Sequence, residues 1–184
     1  MKINFINNYY KPGPATDAAS SAVKYRVAKL GVRTTAYCTN DNGTRNGGKP
    51  MEHVWGKYYV DGNKFDGNAE VTKDNWTKGI YAQQSNGSNV DYLWTQTTKD
   101  TIKLSQPLDP GYVTTHTADL AYERVLEYVG CSFNRDEVDE RIISDVRNRK
   151  ATFTASGNKK GYINTPADTK PSGAPADWTP WLSA

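Results

Sequence analysis

The sequence predicts a mainly β protein of the parallel β-helix type, with long loops and two helices near its C-terminal end. Three observations predict this. Ile3 and Phe5 alternate with Asn4 and Ile6 in a strand that starts at residue 2. Further short strand candidates are separated by long, variable loops, with asparagine at the corners. After residue 116 the apolar spacing switches from the period of a strand to that of a helix.

Composition agrees with strands and turns. The 184 residues include 15 Asn, 19 Thr and 15 Gly, a mixture that favours extended backbone and turns. The 5 Trp, 12 Tyr and 4 Phe separate the chain from disordered proteins, which are poor in aromatics. Hydrophobic residues make up 36% and the mean hydropathy is −0.77. No run approaches the roughly 18–20 apolar residues of a membrane span. The length suits one domain, on a norm of roughly 100–200 residues. Within it we expect β-helix turns and loops over 1–110, a helical segment over 111–150 and an irregular tail over 151–184.

The elements follow in order. The first strand begins abruptly, as if the protein were cut open in mid-strand. Asn7 and Asn8 suit a side-chain ladder if similar turns stack on them. Lys11-Pro12-Gly13-Pro14 breaks the strand. Residues 15–24 read as a loop or short helix, 25–27 as a short strand and 38–50 as a loop. Residues 54–60 are a strong strand candidate, closed by Asp61-Gly62-Asn63. Residues 72–76 open like a short helix capped by Thr72. Residues 83–91 read as a polar loop and 101–104 as a strand.

Leu120, Ala121, Val125, Leu126 and Val129 then share a helical face, with Thr117 as a cap and Gly130 as a stop. Val138, Ile142, Ile143 and Val146 form the stripe of a second helix over about 135–149. Asn134 and Glu137 have capping-box spacing. Arg147, Arg149 and Lys150 suit its C-terminal end.

Charge and cysteines add little. The net charge of +3 does not call for nucleic acid. It is uneven: residues 1–57 hold 9 Lys+Arg against 3 Asp+Glu, and the remainder 14 against 17. A basic first third attracts polyanions, but an uneven solvated surface is the expectation. Cys38 and Cys131 fit no zinc pattern, and either a disulfide or two free thiols is compatible with them. The first residues contain no apolar core of a signal peptide.

Motifs of catalysis are sparse. No nucleophile elbow or phosphate-binding glycine loop is present. His53 and His116 are 63 positions apart, which makes structural or exposed roles the expectation. Asp61-Gly62-Asn63 and Asp66-Gly67-Asn68 have oxygen ligands suited to calcium but fail the EF-hand spacing, and turn chemistry accounts for them. Asp136, Glu137, Asp139 and Glu140 read as a solvated helix face. The sequons at Asn42, Asn75 and Asn86 carry no weight in a chain this rich in Asn and Thr.

Several collinear blocks do resemble a known family. Asn4-Phe5-Ile6-Asn7-Asn8-Tyr9-Tyr10-Lys11-Pro12-Gly13-Pro14-Ala15-Thr16 is similar to a segment of pectate lyases of polysaccharide lyase family one. So are Gly56-Lys57-Tyr58-Tyr59-Val60-Asp61-Gly62-Asn63 and Val71-Thr72-Lys73-Asp74-Asn75-Trp76. Val113-Thr114-Thr115-His116-Thr117-Ala118, with Ala121-Tyr122-Glu123-Arg124-Val125-Leu126, extends the match. Val138-Asp139-Glu140-Arg141-Ile142 and Gly161-Tyr162-Ile163-Asn164-Thr165 complete the order.

The resemblance implies a right-handed parallel β-helix, here its last turns only. It implies calcium-dependent β-elimination of polygalacturonate, with Ca²⁺ as electrophile and an arginine as base. It also implies a secreted or periplasmic parent and pectin as the acidic polysaccharide partner. The blocks correspond to the C-terminal part of such enzymes. The family's calcium-binding aspartates and catalytic arginine lie upstream of the first block. No catalytic or metal residue is therefore carried over, and the expected ligands of Ca²⁺ are not in this chain.

Tyr9, Tyr10 and Lys11 are the candidate substrate contacts, with core or loop anchoring as their other role. The open end of a truncated β-helix would invite self-association. A non-catalytic carbohydrate-binding or adhesin-like protein is the alternative. A complete small lyase using Arg26, Arg33 or Arg45 as base is a third reading, which needs desolvation or partner cations to activate the arginine.

Overall fold

A computed structural model describes residues 1–32, 55–82, 94–153, 170 and 173–178. The elements run β1 (Lys2–Ile6), β2 (Tyr9–Tyr10), a 3₁₀ turn (Pro14–Thr16), α1 (Ser21–Lys24), β3 (Ala28–Leu30), β4 (Lys57–Asp61) and β5 (Lys64–Phe65). Then come α2 (Ala69–Lys73), α3 (Asn75–Gly79), β6 (Ile80–Ala82), α4 (Gln96–Ile102), α5 (Ala118–Tyr128) and α6 (Glu137–Asn148). Contacts divide the chain into two compact units. One holds Met1–Tyr10 and Tyr25–Asp119, the other Lys11–Lys24 and Leu120–Ala184.

The first unit is built on three parallel two-stranded ladders, β1–β4, β2–β5 and β3–β6. Lys2 pairs with Lys57 and Ile6 with Asp61, Tyr9 with Lys64, and Ala28 with Ile80. A bridge from Tyr58 to Lys103 lies beyond β4. The alternation in β4 turns Tyr58 and Val60 inward. Val27, Leu30, Phe65, Val71, Ile80 and Ile102 join them, with Ile3, Phe5, Tyr10 and Trp76 packed against the cluster. Tyr10 stacks on its register partner Phe65 with ring centroids 4.5 Å apart.

Asparagines fix the corners of this unit. Of the side-chain ladder expected at Asn7 and Asn8, only Asn8 takes part: its side-chain Nδ2 donates to Asn63 Oδ1 at 2.7 Å, and its backbone N–H to the same oxygen at 3.0 Å. Asn63 passes the chain of bonds on to Asn75, whose Oδ1 accepts from Asn63 N at 2.7 Å. Asn4 pairs with the backbone of Leu108 in both directions, at 2.9 Å each. Asn7 takes a left-handed turn at φ +55° and donates to the carbonyl of His116. Gly62 beside it has φ +69°, and a Cβ there would stand 2.0 Å from Asn7 Oδ1, so any side chain would strain the backbone and displace the Asn7 amide.

The mainly β, right-handed parallel β-helix expected from the sequence is not what forms. Among the described residues about 37% are helical and about 17% are strand, and the sheets are short two-stranded pairs. The physical reason lies in polar residues that read as turns. Asn68 accepts from Val71 N, Asp74 from Thr77 N and Thr95 from Thr98 N, and each winds the following residues into a helix. Thr72 is therefore inside α2 and not a cap; its hydroxyl bonds to Asn68 O and Phe65 N. Residues 96–102, the first two positions of the expected strand at 101–104 among them, are α4. The expected strand at 25–27 begins at Ala28 instead.

In the second unit, α6 and the part of α5 from Leu120 onward carry the expected helical stripes. Only Leu126 and Ile143 of those stripes are buried here; Val125, Val129, Ile142 and Val146 are exposed. Asp136, two positions after the expected Asn134, caps α6 by accepting from Val138 N and Asp139 N. Gly130, with φ +71°, follows the end of α5. Arg135 closes that end by donating to the carbonyls of Leu126 at 2.8 Å and Glu127 at 2.6 Å.

Candidate functional site

Two concavities among the described residues carry enough chemistry to discuss, one in each unit. The second unit holds a pocket of about 240 Å³. Its floor is apolar: Pro12, Pro14, Ile142 and Val146. Its charged lining is Lys11, Arg141, Arg149 and Lys150 against the single carboxylate of Asp145.

Local bonds fix this pocket. Arg149, at φ +53° past the end of α6, donates from Nε to Pro12 O at 3.0 Å and from Nη2 to Asp17 at 3.2 Å. Lys24 holds the same Asp17 carboxylate at 2.9 Å. The hydrogen bond from Lys24, with the charges of Lys24 and Arg149, holds the Asp17 carboxyl below its usual value. Asp145 accepts from Thr152 Oγ1 at 2.8 Å and pairs with Arg141 at 3.4 Å. The Arg141 guanidinium also lies 4.9 Å from the Phe153 ring centre.

The three candidate contacts divide between the units. Tyr9 and Tyr10 form β2 in the first unit. Tyr10 packs against the core, and burial pushes its phenol above the ordinary value. The ring of Tyr9 lies 5.6 Å from the Lys64 ammonium. Lys11 belongs to the second unit and lines the basic pocket. Its ammonium donates to Tyr122 OH and to Arg147 O, both at 3.1 Å. Tyr10 is thus an anchoring residue, and Lys11 lines the basic pocket.

The first unit holds a larger cleft of about 570 Å³, lined by Tyr59, Asp61, Lys73, Trp76, Asp100 and Lys103 among others. Tyr59 donates to Asp61 at 3.4 Å, and burial together with that carboxylate raises its phenol.

Of the remaining candidates, His116 is exposed, and His53, Cys38, Arg33 and Arg45 lie outside the described residues, as do residues 38–50 and the sequons at Asn42 and Asn86. Cys131 is exposed. Both Asp-Gly-Asn triplets are turns with glycine at positive φ, which leave Asn63 as a buried bridge and Asn68 as a cap. Among the described residues no three His, Cys, Asp or Glu side chains gather in a group that would hold a metal ion. Among them also, no helix is long and apolar enough to cross a membrane.

Sequence reasoning passed over Arg141, Arg149 and Lys150 as site residues. Arg149 and Lys150 showed only as part of a run of cations closing a helix, which the helix dipole explains unaided, and Arg141 lies in mid-helix. Only tertiary structure brings Pro12 and Pro14 against them. No protein-family model matches the sequence, and no curated protein matches it significantly.

Proposed function

We propose that this chain binds an acidic polysaccharide of the polygalacturonate class and serves a pectate-lyase-like protein. The observation that carries this is the basic pocket of the second unit. Four cations face one carboxylate over an apolar floor. A galacturonate ring presents a carboxylate and an apolar C–H face, so it needs both features. The pocket's lining also draws on two of the blocks that resemble pectate lyases, through Lys11 to Ala15 and through Arg141 and Ile142. Asp145 is engaged by Arg141 and Thr152, which lessens its repulsion of an incoming anion.

Calcium-dependent elimination belongs to this reading as the activity of the family. No residue of this chain is assigned as a calcium ligand or as the base. The role argued for this chain is to hold a uronate unit by charge and apolar contact.

Calorimetry of the whole chain with trigalacturonate tests the reading. Lys150→Glu is expected to weaken binding about threefold to tenfold and to flatten its salt dependence. Equal binding of a neutral trisaccharide in that pocket, or indifference to both Lys150→Glu and salt, overturns it. Absorbance of unsaturated uronide, with calcium and with chelator, separates the two roles. Calcium-dependent growth assigns elimination to this chain; binding without growth favours the non-catalytic carbohydrate-binding alternative.

A further inference from the structure

We propose that the cleft beside Trp76 in the first unit binds a neutral oligosaccharide. The cleft measures about 570 Å³, within the range of pockets that enclose small ligands. It is bounded by the end of β4, the start of α3 and the end of α4. Trp76 and Tyr59 supply aromatic surface there, while Asp61, Asp100, Lys73 and Lys103 supply acceptors and donors. A neutral pyranose needs this combination. Its C–H faces lie on an aromatic ring, and each hydroxyl both donates and accepts.

Charge discriminates among the possible occupants. Asp61, Asp74 and Asp100 outnumber Lys73 and Lys103, so a polyanion gains nothing here. A small organic cation would compete for the Trp76 face with Lys103, whose ammonium already lies 5.4 Å from the ring centre. That ammonium is tethered and needs no translational entropy to stay. An uncharged, hydroxyl-rich chain avoids the charge repulsion, and Tyr59 offers it a second ring beside Trp76.

The acceptors are also held in place. Asp74 caps α3 through Thr77 N at 2.9 Å, and Asp100 accepts from Gln96 Nε2 at 2.8 Å. A carboxylate has about four acceptor positions, so each retains capacity for a sugar hydroxyl. The cleft shares no lining residue with the uronate pocket and lies in the other unit, so the two proposals stand or fall separately.

The test is an amide NMR titration of the whole chain with cellotetraose, xylotetraose and galactotetraose, and separately with trigalacturonate. At least one neutral tetrasaccharide should shift the amides of residues 59–61, 73–76 and 100–105 and the Trp76 indole. The amides of residues 11–15 should stay in place. Trp76→Ala should weaken that binding about tenfold. Because Trp76 also packs on the core, Asp100→Asn and Lys73→Met serve as variants at exposed positions, each expected to weaken binding about threefold. The proposal is overturned if no neutral tetrasaccharide shifts the cleft, or if trigalacturonate shifts it more. Unchanged affinity in both Asp100→Asn and Lys73→Met also overturns it.

Discussion

Asn63 has no exposed surface, yet both polar atoms of its side chain are paired. Nδ2 donates to Phe5 O at 2.8 Å, Asp61 O at 3.2 Å and Asn75 Oδ1 at 3.1 Å. Oδ1 accepts both N–H groups of Asn8. The side chain therefore satisfies backbone and side-chain groups that would otherwise be buried unpaired. Removing it strands several of them at once. Asn63→Ala is expected to cost about 3–5 kcal/mol, read from the urea midpoint at constant slope. A loss below about 1 kcal/mol would mean that water replaces the amide and that the ladder does not hold the corner. Asn8 was legible as a ladder residue because its neighbour is also asparagine. Asn63 was not, because Asp-Gly-Asn reads first as a turn; the turn is there, but the buried bridge is a tertiary fact.

Elements show the same division. The helices α5 and α6 were legible because their apolar spacing repeats over 11 and 12 residues. Strands β1 and β4 were legible through alternation. The short helices α2 and α3, of 5 residues each, were legible only as one helix opening at residue 72, and α4, of 7 residues, was missed. None spans enough turns to show a period, and their caps are the residues that also make turns. A count of turn formers therefore mistook helix for strand and loop, and the fold class went with it.

One ion pair between elements offers a pH test. Lys64 of β5 meets Asp119 of α5 at 2.6 Å. Its hydrogen bond to the Asp119 carboxylate raises the Lys64 ammonium above its ordinary 10.5. A raised folded-state value gives stability that is complete below 10.5 and is lost as pH rises through the folded value. Melting temperature should therefore fall across the alkaline side of 10.5, and Lys64→Met should flatten that fall. Tyr10, Tyr58 and Tyr59 are also raised, chiefly by burial, and supply the residual slope. An unaltered slope in Lys64→Met would show that the pair contributes nothing, as many exposed pairs do not.

At the scale of the whole molecule, the two units differ in how much apolar surface each buries. The first encloses a cluster of eight buried residues, Ile102 at 1% exposure and Phe65 at 3% among them. In the second, the buried hydrophobics among the described residues are Leu126 and Ile143. Val125, Tyr128, Val129 and Phe133 are exposed there, Phe133 fully. Its order leans instead on directional bonds: Arg135 on the end of α5, Arg149 on Pro12, and Asp145 on Thr152. Such bonds contribute about 0.5–1.5 kcal/mol each, less than burying a large side chain. Local opening should follow that difference. Hydrogen exchange is expected to show lower protection for the amides of α6 than for those of β4. Equal protection would mean that α6 opens only with the core of the first unit, and that its few buried side chains understate its stability. Lower protection would place the basic pocket on the more readily opened unit, where a bound uronate would raise the protection of α6 by mass action.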